Sequence, residues 1–367
     1  MPIYMDIHIA PGVKALDVAE AHQLDLAHQH HHGCRFMTYW VDEERESVFC
    51  LIDAPDKESV QEVHRKAHGL IPNKIIEVKS SVVESFLGRI YDPSDADVND
   101  EGLKVFIDPS FRVLMVTSIV DPIILRNRIG EENANAVFDR INTAVRKFIS
   151  RFDGRETEHD GSGFIVSFCS ASQAVTCAAK IQQEIDAADA RLAELRIVLN
   201  GGEPIEKSNK LFGDVIQVAR NISTVAKRGK VIMTSTVKNL VAKDVNNGAH
   251  RDFHHLAPQD EDFINQLFVK LEENWQNADF DVDDYCRVMA MSRSQLYRKT
   301  IQLTGMSPNI LLKEYRLEAA KNMMRKQRMN ISQVTFNSGF TSPSYFTKCF
   351  RKSYGMLPMA YVDLLHS

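Results

Sequence analysis

The sequence predicts an α+β protein of several domains in which the last domain is all helical. Up to residue 245, short apolar runs of strand length alternate with amphipathic helical stretches. From residue 262 onward, apolar residues recur only at helical spacing. A length of 367 residues fits two or three domains of ordinary size.

Charge divides the chain at the same place. Residues 262–367 carry 14 Lys and Arg against 10 Asp and Glu, a net +4, whereas residues 1–261 carry 30 against 39, a net −9. The two parts sum to the −5 of the whole chain. A basic third on an acidic body predicts an anionic partner for that third.

The composition excludes several classes of protein. Hydrophobic residues make up 44% and charged residues 25%, which is ordinary for a soluble globular chain. No stretch approaches 18 apolar residues and the N-terminus has no basic start before an apolar run, so we expect neither a membrane span nor export. None of the six cysteines forms a CxxC pair, which argues against a zinc knuckle and favours a reducing cytoplasm.

Residues 1–80 read as strand, helix, strand, strand, helix, strand. The predicted strands are "PIYMDIHIA", "CRFMTYWVD", "SVFCLIDA" and "KIIEVK". The predicted helices are "ALDVAEAHQLDLAHQHHHG" and "DKESVQEVHRKAHGL", the second capped by Asp56. Two split β-α-β units predict a ferredoxin-like α/β sandwich. Residues 81–110, with the polar "YDPSDADVNDEG", are predicted to be a linker.

Residues 111–245 alternate again and predict a second α/β domain. "FRVLMVTSIV" is a buried strand, "RETEHDGSGFIVSF" a hairpin that turns tightly at Gly161 and Gly163, and "DVIQVARNISTVA" a helix.

Residues 262–367 contain two helix-turn-helix patterns. In "FDVDDYCRVMAMSRSQLYRKTIQLTG", Ser292 and Gln295 form a capping box at the start of the second helix. In "NISQVTFNSGFTSPSYFTKCFRKSYG", Asn330 and Gln333 can cap the first helix, Gly339 supplies the turn and Ser342 caps the second helix. A long helix, "SPNILLKEYRLEAAKNMMRK", joins the two motifs.

This C-terminal third resembles the DNA-binding domain of the AraC/XylS transcription regulators, most closely over "SGFTSPSYFTKCFRKSYGMLPMAY". The family usually ends that pattern with Tyr-Arg, where this chain has Tyr361 and Val362. The resemblance implies two recognition helices in successive major-groove segments of double-stranded DNA, with RNA polymerase as a further partner. The DNA-facing positions it implies are Ser294, Tyr297, Arg298, Lys299, Ser344, Tyr345, Lys348 and Arg351. Arg298 is the best candidate to read a guanine, although each of these side chains alone could belong to a solvated helix face.

The middle segment resembles the class III nucleotidyl cyclase catalytic domain in the order and spacing of "VLMVTSIV", "RETEHDGSGFIVSF", "FGDVIQVARNIS" and "GKVIMTS". Ser118 and Ser162 stand where the family has its two metal-binding aspartates, and Glu158 stands where it has its purine-selecting lysine. The family's late asparagine and arginine fall on Gln217 and Asn221, with Arg220 one place out of register. A serine hydroxyl carries no charge and cannot replace a carboxylate that holds Mg²⁺. We therefore expect no catalysis. The resemblance implies a head-to-tail homodimer through this domain, and a retained purine-nucleotide pocket is the minority alternative.

Histidine is concentrated at the front of the chain, where residues 1–68 hold eight of the 13. His64 and His68 are four residues apart on one predicted helix, so their imidazoles can share a metal. His22 lies on the other helix, and His8 and Cys50 lie on strands. The bland alternatives are polar histidines at a helix C-terminus in "HQHHHG", a core cysteine at position 50, and a surface pair at positions 64 and 68.

The same segment resembles a small ferredoxin-like family, one type of which binds nickel, through "MPIYMDIHIAPGV", "RFMTYW" and "FCLIDAPDKESVQEVHRKAHGLIP". The resemblance implies a transition-metal site, although imidazole suits nickel, zinc and copper alike. The sequence as a whole predicts a cytoplasmic AraC-type regulator controlled by a ligand or metal sensed in the N-terminal or cyclase-like domain. The alternative is a nucleotidyl cyclase, or another metal-dependent enzyme, fused to a DNA-binding domain.

Overall fold

The computed structural model describes the chain except residues 101, 160, 162, 186, 226–229, 245–252, 327–328 and 367. Within the described residues, the N-terminal domain is a sheet of four antiparallel strands in the order β2-β3-β1-β4, with two helices on one face. Its elements are β1 (Ile3–Ile9), α1 (Ala15–His28), β2 (Arg35–Asp42), β3 (Ser47–Asp53), α2 (Lys57–Ala67) and β4 (Lys74–Val78). This order confirms the predicted ferredoxin-like sandwich.

Local capping fixes where the second of these helices begins. The Asp56 side chain accepts a hydrogen bond from the Ser59 N–H at 2.7 Å, so it satisfies one of the unpaired donors of the first turn. At the end of α1, a 3₁₀ turn (Gln29–His32) carries most of the histidine run, and Gly33 closes it with φ +64°.

The segment 81–110, predicted as a linker, holds structure of its own. Helix α3 (Ser80–Leu87) buries Phe86 and Leu87, and the Phe86 ring stacks on Phe212 at 5.0 Å. The buried Arg112 guanidinium donates to the carbonyls of Phe86 and Leu87 and so caps the helix. The apolar residues of "SSVVESFL" fall at helical spacing but directly precede the polar tract, which concealed the helix. A short hairpin follows, β5 (Asp97–Val98) and β6 (Lys104–Val105).

The middle domain is built on a mixed sheet with the order β12-β11-β10-β7-β9-β8 among the described strands. The helices Glu131–Arg151, Ala171–Glu184 and Ser235–Asp244 cover one face, and α3 and the helices Gly213–Val225 and Pro258–Asn274 lie on the other. The strands are β7 (Arg112–Ser118), β8 (Arg155–His159), β9 (Phe164–Phe168), β10 (Arg196–Gly202), β11 (Val231–Met233) and β12 (His254–His255). The helices are α4 (Pro122–Ile129), α5 (Glu131–Arg151), α6 (Ala171–Glu184), α7 (Ala187–Leu192), α8 (Gly213–Val225) and α9 (Ser235–Asp244).

The C-terminal part is helical over its described residues, as the sequence predicts, and begins slightly before residue 262. Helix α10 (Pro258–Asn274) leads into two helix-turn-helix motifs that a long helix connects. The remaining helices are α11 (Val282–Val288), α12 (Arg293–Thr304), α13 (Pro308–Lys326), α14 (Ile331–Asn337), α15 (Pro343–Tyr354) and α16 (Pro358–His366). None of the described helices combines the length and the apolar character that a membrane crossing needs.

One apolar core connects the three parts. It contains Met5 and Trp40 from the inner face of the N-terminal sheet, Val198 from the middle sheet, and Phe263 and Leu296 from the C-terminal helices. The outer face of the N-terminal sheet packs separately under α1 and α2. Strand alternation therefore gives the N-terminal sheet one face for its neighbours and one face for the site described next.

Candidate functional site

The outer face of the N-terminal sheet holds buried ionisable side chains. Strand alternation places Asp6 and His8 on the face that α1 and α2 cover. Cys50 pairs with Asp6 in the register of β1 and β3, and its backbone N–H donates to Asp6 Oδ1 at 3.1 Å. His64 reaches the same point from α2, so four donors from three elements converge under the helices.

These four residues form what we call the strand group: Asp6, His8, Cys50 and His64. One ligand atom from each lies within 4.8 Å of all the others. His64 Nε2 is 2.9 Å from Asp6 Oδ2, and His8 Nε2 is 3.6 Å from Asp6 Oδ1. Carboxylate, imidazole and thiol together form a donor set that suits borderline transition metals.

A second set, the helix group, consists of Asp25, His64 and His68. His64 Nδ1 is 3.2 Å from Asp25 Oδ1 and 3.1 Å from His68 Nε2. His68 Nε2 in turn is 3.2 Å from Asp25 Oδ1. The predicted proximity of His64 and His68 is therefore observed. The two groups share His64, which turns one ring nitrogen toward each.

The pKa shifts show what holds this cluster together without a metal. Burial alone would lower the pKa of His64, but the carboxylates of Asp6 and Asp25 outweigh it and raise that pKa to about 10. Burial favours the neutral acid at Asp6, but His8 and His64 lower its pKa below the usual range. An imidazolium between two carboxylates thus bridges the groups, and a divalent cation would have to displace its proton.

Cys50 and His22 behave differently from the shared histidine. Burial, with the nearby Asp6 carboxylate, raises the pKa of the Cys50 thiol well above its ordinary value, so the thiol keeps its proton at neutral pH. His22, a predicted ligand, lies outside both groups, with its ring 5.1 Å from Tyr39. It is buried, burial lowers its pKa, and its Nδ1 has no hydrogen-bond partner among the described residues.

Two carboxylates of the site were missed from the sequence. Asp6 stands two residues before His8 in "YMDIHI", an acidic residue in an otherwise apolar strand. Asp25 follows His22 by three residues on α1, which is the spacing of helix neighbours. Both signals were present, but histidine enrichment alone does not reveal them. The histidine run lies elsewhere, since His30 and His31 are exposed.

The described positions that match cyclase functional residues each contact a neighbouring side chain. Ser118 Oγ lies 2.7 Å from Ser223 Oγ, and Gln217 donates to Asn221 at 3.0 Å. Glu158 pairs with Arg220 at 3.4 Å across the hairpin and α8. Ser162 lies outside the described residues. At Gly163, a side chain would collide with the Thr117 carbonyl oxygen, so the close approach of the turn to β7 requires glycine there.

Both helix-turn-helix motifs are capped as the sequence predicts. Ser292 and Gln295 form a capping box at the start of α12, and Asn330 and Gln333 form one at α14. Ser342 accepts from the Tyr345 N–H at the start of α15. These bonds satisfy backbone donors in the first turns and so define where α12, α14 and α15 begin.

The predicted DNA-facing side chains divide by exposure. The exposed ones are Ser294, Arg298, Ser344, Tyr345, Lys348 and Arg351. Tyr297 is half-buried, and its hydroxyl accepts a hydrogen bond from Asn309 at 3.1 Å. Lys299 turns back toward α10, where its ammonium lies 3.7 Å from Asp260 and 4.8 Å from the Phe263 ring centroid. Lys299 is therefore already paired, whereas Arg298 beside it forms no ion pair with the residues that the structure describes.

Two family models match parts of the chain. Residues 4–78 match the model described as nickel responsive protein SCO4226-like, and residues 285–363 match the model described as a helix-turn-helix domain. These matches confirm the N-terminal and C-terminal resemblances inferred from the sequence.

Three relatives share shorter stretches. "Histidine kinase P4" of Formosa agariphila is 35% identical over 102 residues, which are 28% of this chain and 7% of that protein. "Putative adenylate cyclase 3" of Rhizobium meliloti is 37% identical over 122 residues, 32% of this chain and 21% of that protein, and bears on the middle region. "HTH-type transcriptional activator RhaR" of Yersinia pseudotuberculosis is 33% identical over 110 residues, 29% of this chain and 36% of that protein. The chain thus spans 7% to 36% of the length of these relatives.

Two solved structures each resemble one end of the chain. SCO4226 from Streptomyces coelicolor is 34% identical, covers 21% of this chain and 94% of its own, and has a TM-score of 0.20. The DNA-binding domain of AdpA in complex with a target DNA is 26% identical, covers 27% of this chain and 89% of its own, and has a TM-score of 0.26.

The shifted pKa of His64 predicts a pH dependence for the metal-free protein. Because that pKa rises from 6.5 to about 10 on folding, the stabilisation is complete below about pH 6.5 and is lost as pH rises toward 10. We expect the wild type to exceed His64→Gln by roughly 2 to 4 kcal/mol in free energy of unfolding near pH 6, with the difference shrinking above pH 8. Urea unfolding with a chelator present measures this.

His31→Gln is the matched control, since His31 is exposed. Its free energy of unfolding should follow the wild type at every pH. A difference between wild type and His64→Gln that stays constant from about pH 6 to about pH 9.5 would contradict the buried imidazolium.

Proposed function

We propose that the protein is a sequence-specific, DNA-binding transcription regulator of AraC type whose DNA affinity responds to a transition metal in the N-terminal domain. One observation carries the first half of this proposal. Two capped helix-turn-helix motifs, joined by α13, leave six predicted contact side chains exposed on α12 and α15. The match of residues 285–363 to a helix-turn-helix model supports the same conclusion.

DNA recognition would follow from the chemistry of these two helices. Arg298 on α12 carries two parallel N–H donors that match guanine O6 and N7 in the major groove. Lys348 and Arg351 on α15, both exposed, would contact bases or phosphates of the next groove segment. Phosphate contacts would supply most of the affinity and the base edges the specificity. Contact with RNA polymerase, pairing through the cyclase-like domain and action in the cytoplasm complete the proposal.

The donor set on the N-terminal sheet supports the metal half of the proposal. The strand group offers four donors and the helix group three, and both include His64. His22 adds a buried ring nitrogen without a partner among the described residues, about one helical turn from Asp25. The buried carboxylates of Asp6 and Asp25 would neutralise the positive charge of a bound metal ion. Each of them also contacts one ring nitrogen of His64 and can orient that ring when the other nitrogen binds the metal. The name of the matching family model makes Ni²⁺ the first ion to test.

The side chains at the cyclase positions support a role for the middle domain other than catalysis. Ser118 stands at a position where the cyclase family has a metal-binding aspartate, and Glu158 forms an ion pair with Arg220. Incubation with ATP or GTP and Mn²⁺ tests the enzyme alternative, because a cyclic product that disappears in Ser118→Ala would favour it.

Arg298→Ala should weaken binding to the best duplex found upstream of the protein's own gene by about 1 to 3 kcal/mol. The loss arises because one bidentate contact to a base is removed. Fluorescence anisotropy of labelled duplexes measures it, with an unrelated duplex as the reference for specificity.

Lys299→Ala is the matched control on the neighbouring residue. Since Lys299 already pairs with Asp260, its removal should change the DNA affinity less than the removal of Arg298. Equal losses in the two variants, or equal losses on specific and unrelated DNA, would contradict the assignment of Arg298 to base reading.

His64→Gln should lower the Ni²⁺ affinity by more than about tenfold, because His64 belongs to both donor groups. Equilibrium dialysis with metal analysis measures this. Cys50→Ser and His68→Gln distinguish the groups, since each removes a donor from only one of them.

The double variant His30→Gln/His31→Gln controls for adventitious binding to the exposed histidine run. It should bind Ni²⁺ as the wild type does. If this double variant loses the metal and His64→Gln retains it, the buried site is wrong.

A further inference from the structure

A buried carboxylate joins the middle domain to the second helix-turn-helix motif. Asp121 caps α4, where its Oδ1 accepts the Ile123 N–H at 3.0 Å. Its Oδ2 accepts from Lys321 at 3.4 Å, from the Tyr361 hydroxyl at 2.7 Å, and from Arg325 at a shorter distance. All three donors belong to the DNA-binding part of the chain, at least 200 residues away in sequence.

Apolar packing surrounds this charge cluster. Ile124, three residues after Asp121, is 3% exposed and belongs to the core of the second motif together with Phe346 and Phe350. The Asp121 side chain is 2% exposed and that of Lys321 is 6% exposed. The second motif thus completes its own core with a residue of the middle domain.

Between this anchor and the contact of α8 with α10, the two domains do not fill the space. An open cleft of about 1160 Å³ lies there, lined on the middle-domain side by residues such as Ser118 and Arg220 and on the α13 side by Glu318 and Asn322. Because this cleft is open to solvent, the second motif meets the middle domain through a limited contact at Asp121 and Ile124, and contacts of this kind between domains can separate.

We propose that Asp121 is a latch that holds the second helix-turn-helix motif in a docked state of lower DNA affinity, while the first motif stays packed in the shared apolar core. Docking keeps a body of net charge −9 beside a domain of net charge +4 that has to approach phosphates. Charges within a Debye length, about 10 Å at 0.1 M salt, repel the DNA backbone. Docking also binds the cations of Lys321 and Arg325 to a carboxylate. Release of the latch raises DNA affinity; this step rests on the proposed DNA-binding function.

Asp121→Asn changes only the docked state. With the carboxylate gone, the buried Lys321 ammonium is left with the exposed Glu318, and Arg325, about one-third exposed, loses an acidic partner in the docked state, which is unfavourable. In the undocked state both cations are in water and nothing is lost. The neutral amide keeps the volume of the side chain and can still accept the Ile123 N–H.

The test compares the full-length wild type with Asp121→Asn and Glu318→Gln. Glu318 also pairs with Lys321, at 2.8 Å, but it is exposed and belongs to the DNA-binding domain. Glu318→Gln therefore removes a carboxylate partner of Lys321 without removing a contact between the two domains. Small-angle X-ray scattering without DNA gives the radius of gyration. Anisotropy with one duplex of unrelated sequence gives Kd at salt concentrations from about 50 to about 200 mM.

Asp121→Asn should have a larger radius of gyration and bind the duplex about threefold or more tightly than the wild type near 50 mM salt. The ratio of the two Kd values should fall as salt rises, because salt screens the repulsion by the acidic body. Glu318→Gln should match the wild type in both measurements. If Asp121→Asn loses its circular dichroism, Ile124→Ala, which trims the apolar part of the contact, carries the same expectation.

A radius of gyration and a Kd for Asp121→Asn equal to those of the wild type would overturn the latch, and so would weaker DNA binding. If the wild type binds no duplex at all, the result contradicts the proposed DNA-binding function instead. In that case the scattering comparison still decides whether Asp121 holds the domain.

Discussion

The shared apolar core constrains every other part of the molecule. The inner face of the N-terminal sheet, with Met5 and Trp40, packs into the same core as Val198 of the middle sheet and Phe263 of α10. That face is therefore committed to the neighbouring domain. Ile7, Phe49 and Leu51 face the same core. Because side chains alternate along a strand, the residues next to these inward-facing positions must face the other way. Asp6, His8 and Cys50 are those residues, and the candidate metal site exists on the face that the core does not use.

This arrangement places the candidate site one strand away from the middle domain. Ile7, between Asp6 and His8, pairs in register with Lys74 of β4. The Lys74 ammonium donates to three successive backbone carbonyls, residues 206–208, just before α8. Helix α8 in turn packs against α10. A change in β1 on metal binding thus has a continuous physical route to the DNA-binding domain, although a route becomes coupling only if two arrangements exist. The separable contact at Asp121 supplies such a pair of arrangements.

The sequence predicted local features better than long-range ones. The caps at Ser292 and Ser342 follow from residues three positions apart, and both are present as expected. The proximity of His64 and His68 follows from their spacing of four residues, which places both on one face of a helix. Asp25, by contrast, is far from both in sequence, and only the packing of α1 on α2 brings it there. Asp121 meets Lys321 across 200 residues, and no periodicity reports such a contact.

If metal binding in the N-terminal domain and DNA binding in the C-terminal domain are coupled, thermodynamic linkage requires each ligand to change the affinity for the other. The Kd for Ni²⁺ should be determined on the full-length protein with and without saturating specific duplex, alongside the Kd for that duplex with and without saturating Ni²⁺. Both Kd values should change by the same factor, about fivefold or more, and His64→Gln should abolish both changes. If both ligands bind but neither Kd changes when the other ligand is present, the two domains are not coupled and the metal does not control DNA binding.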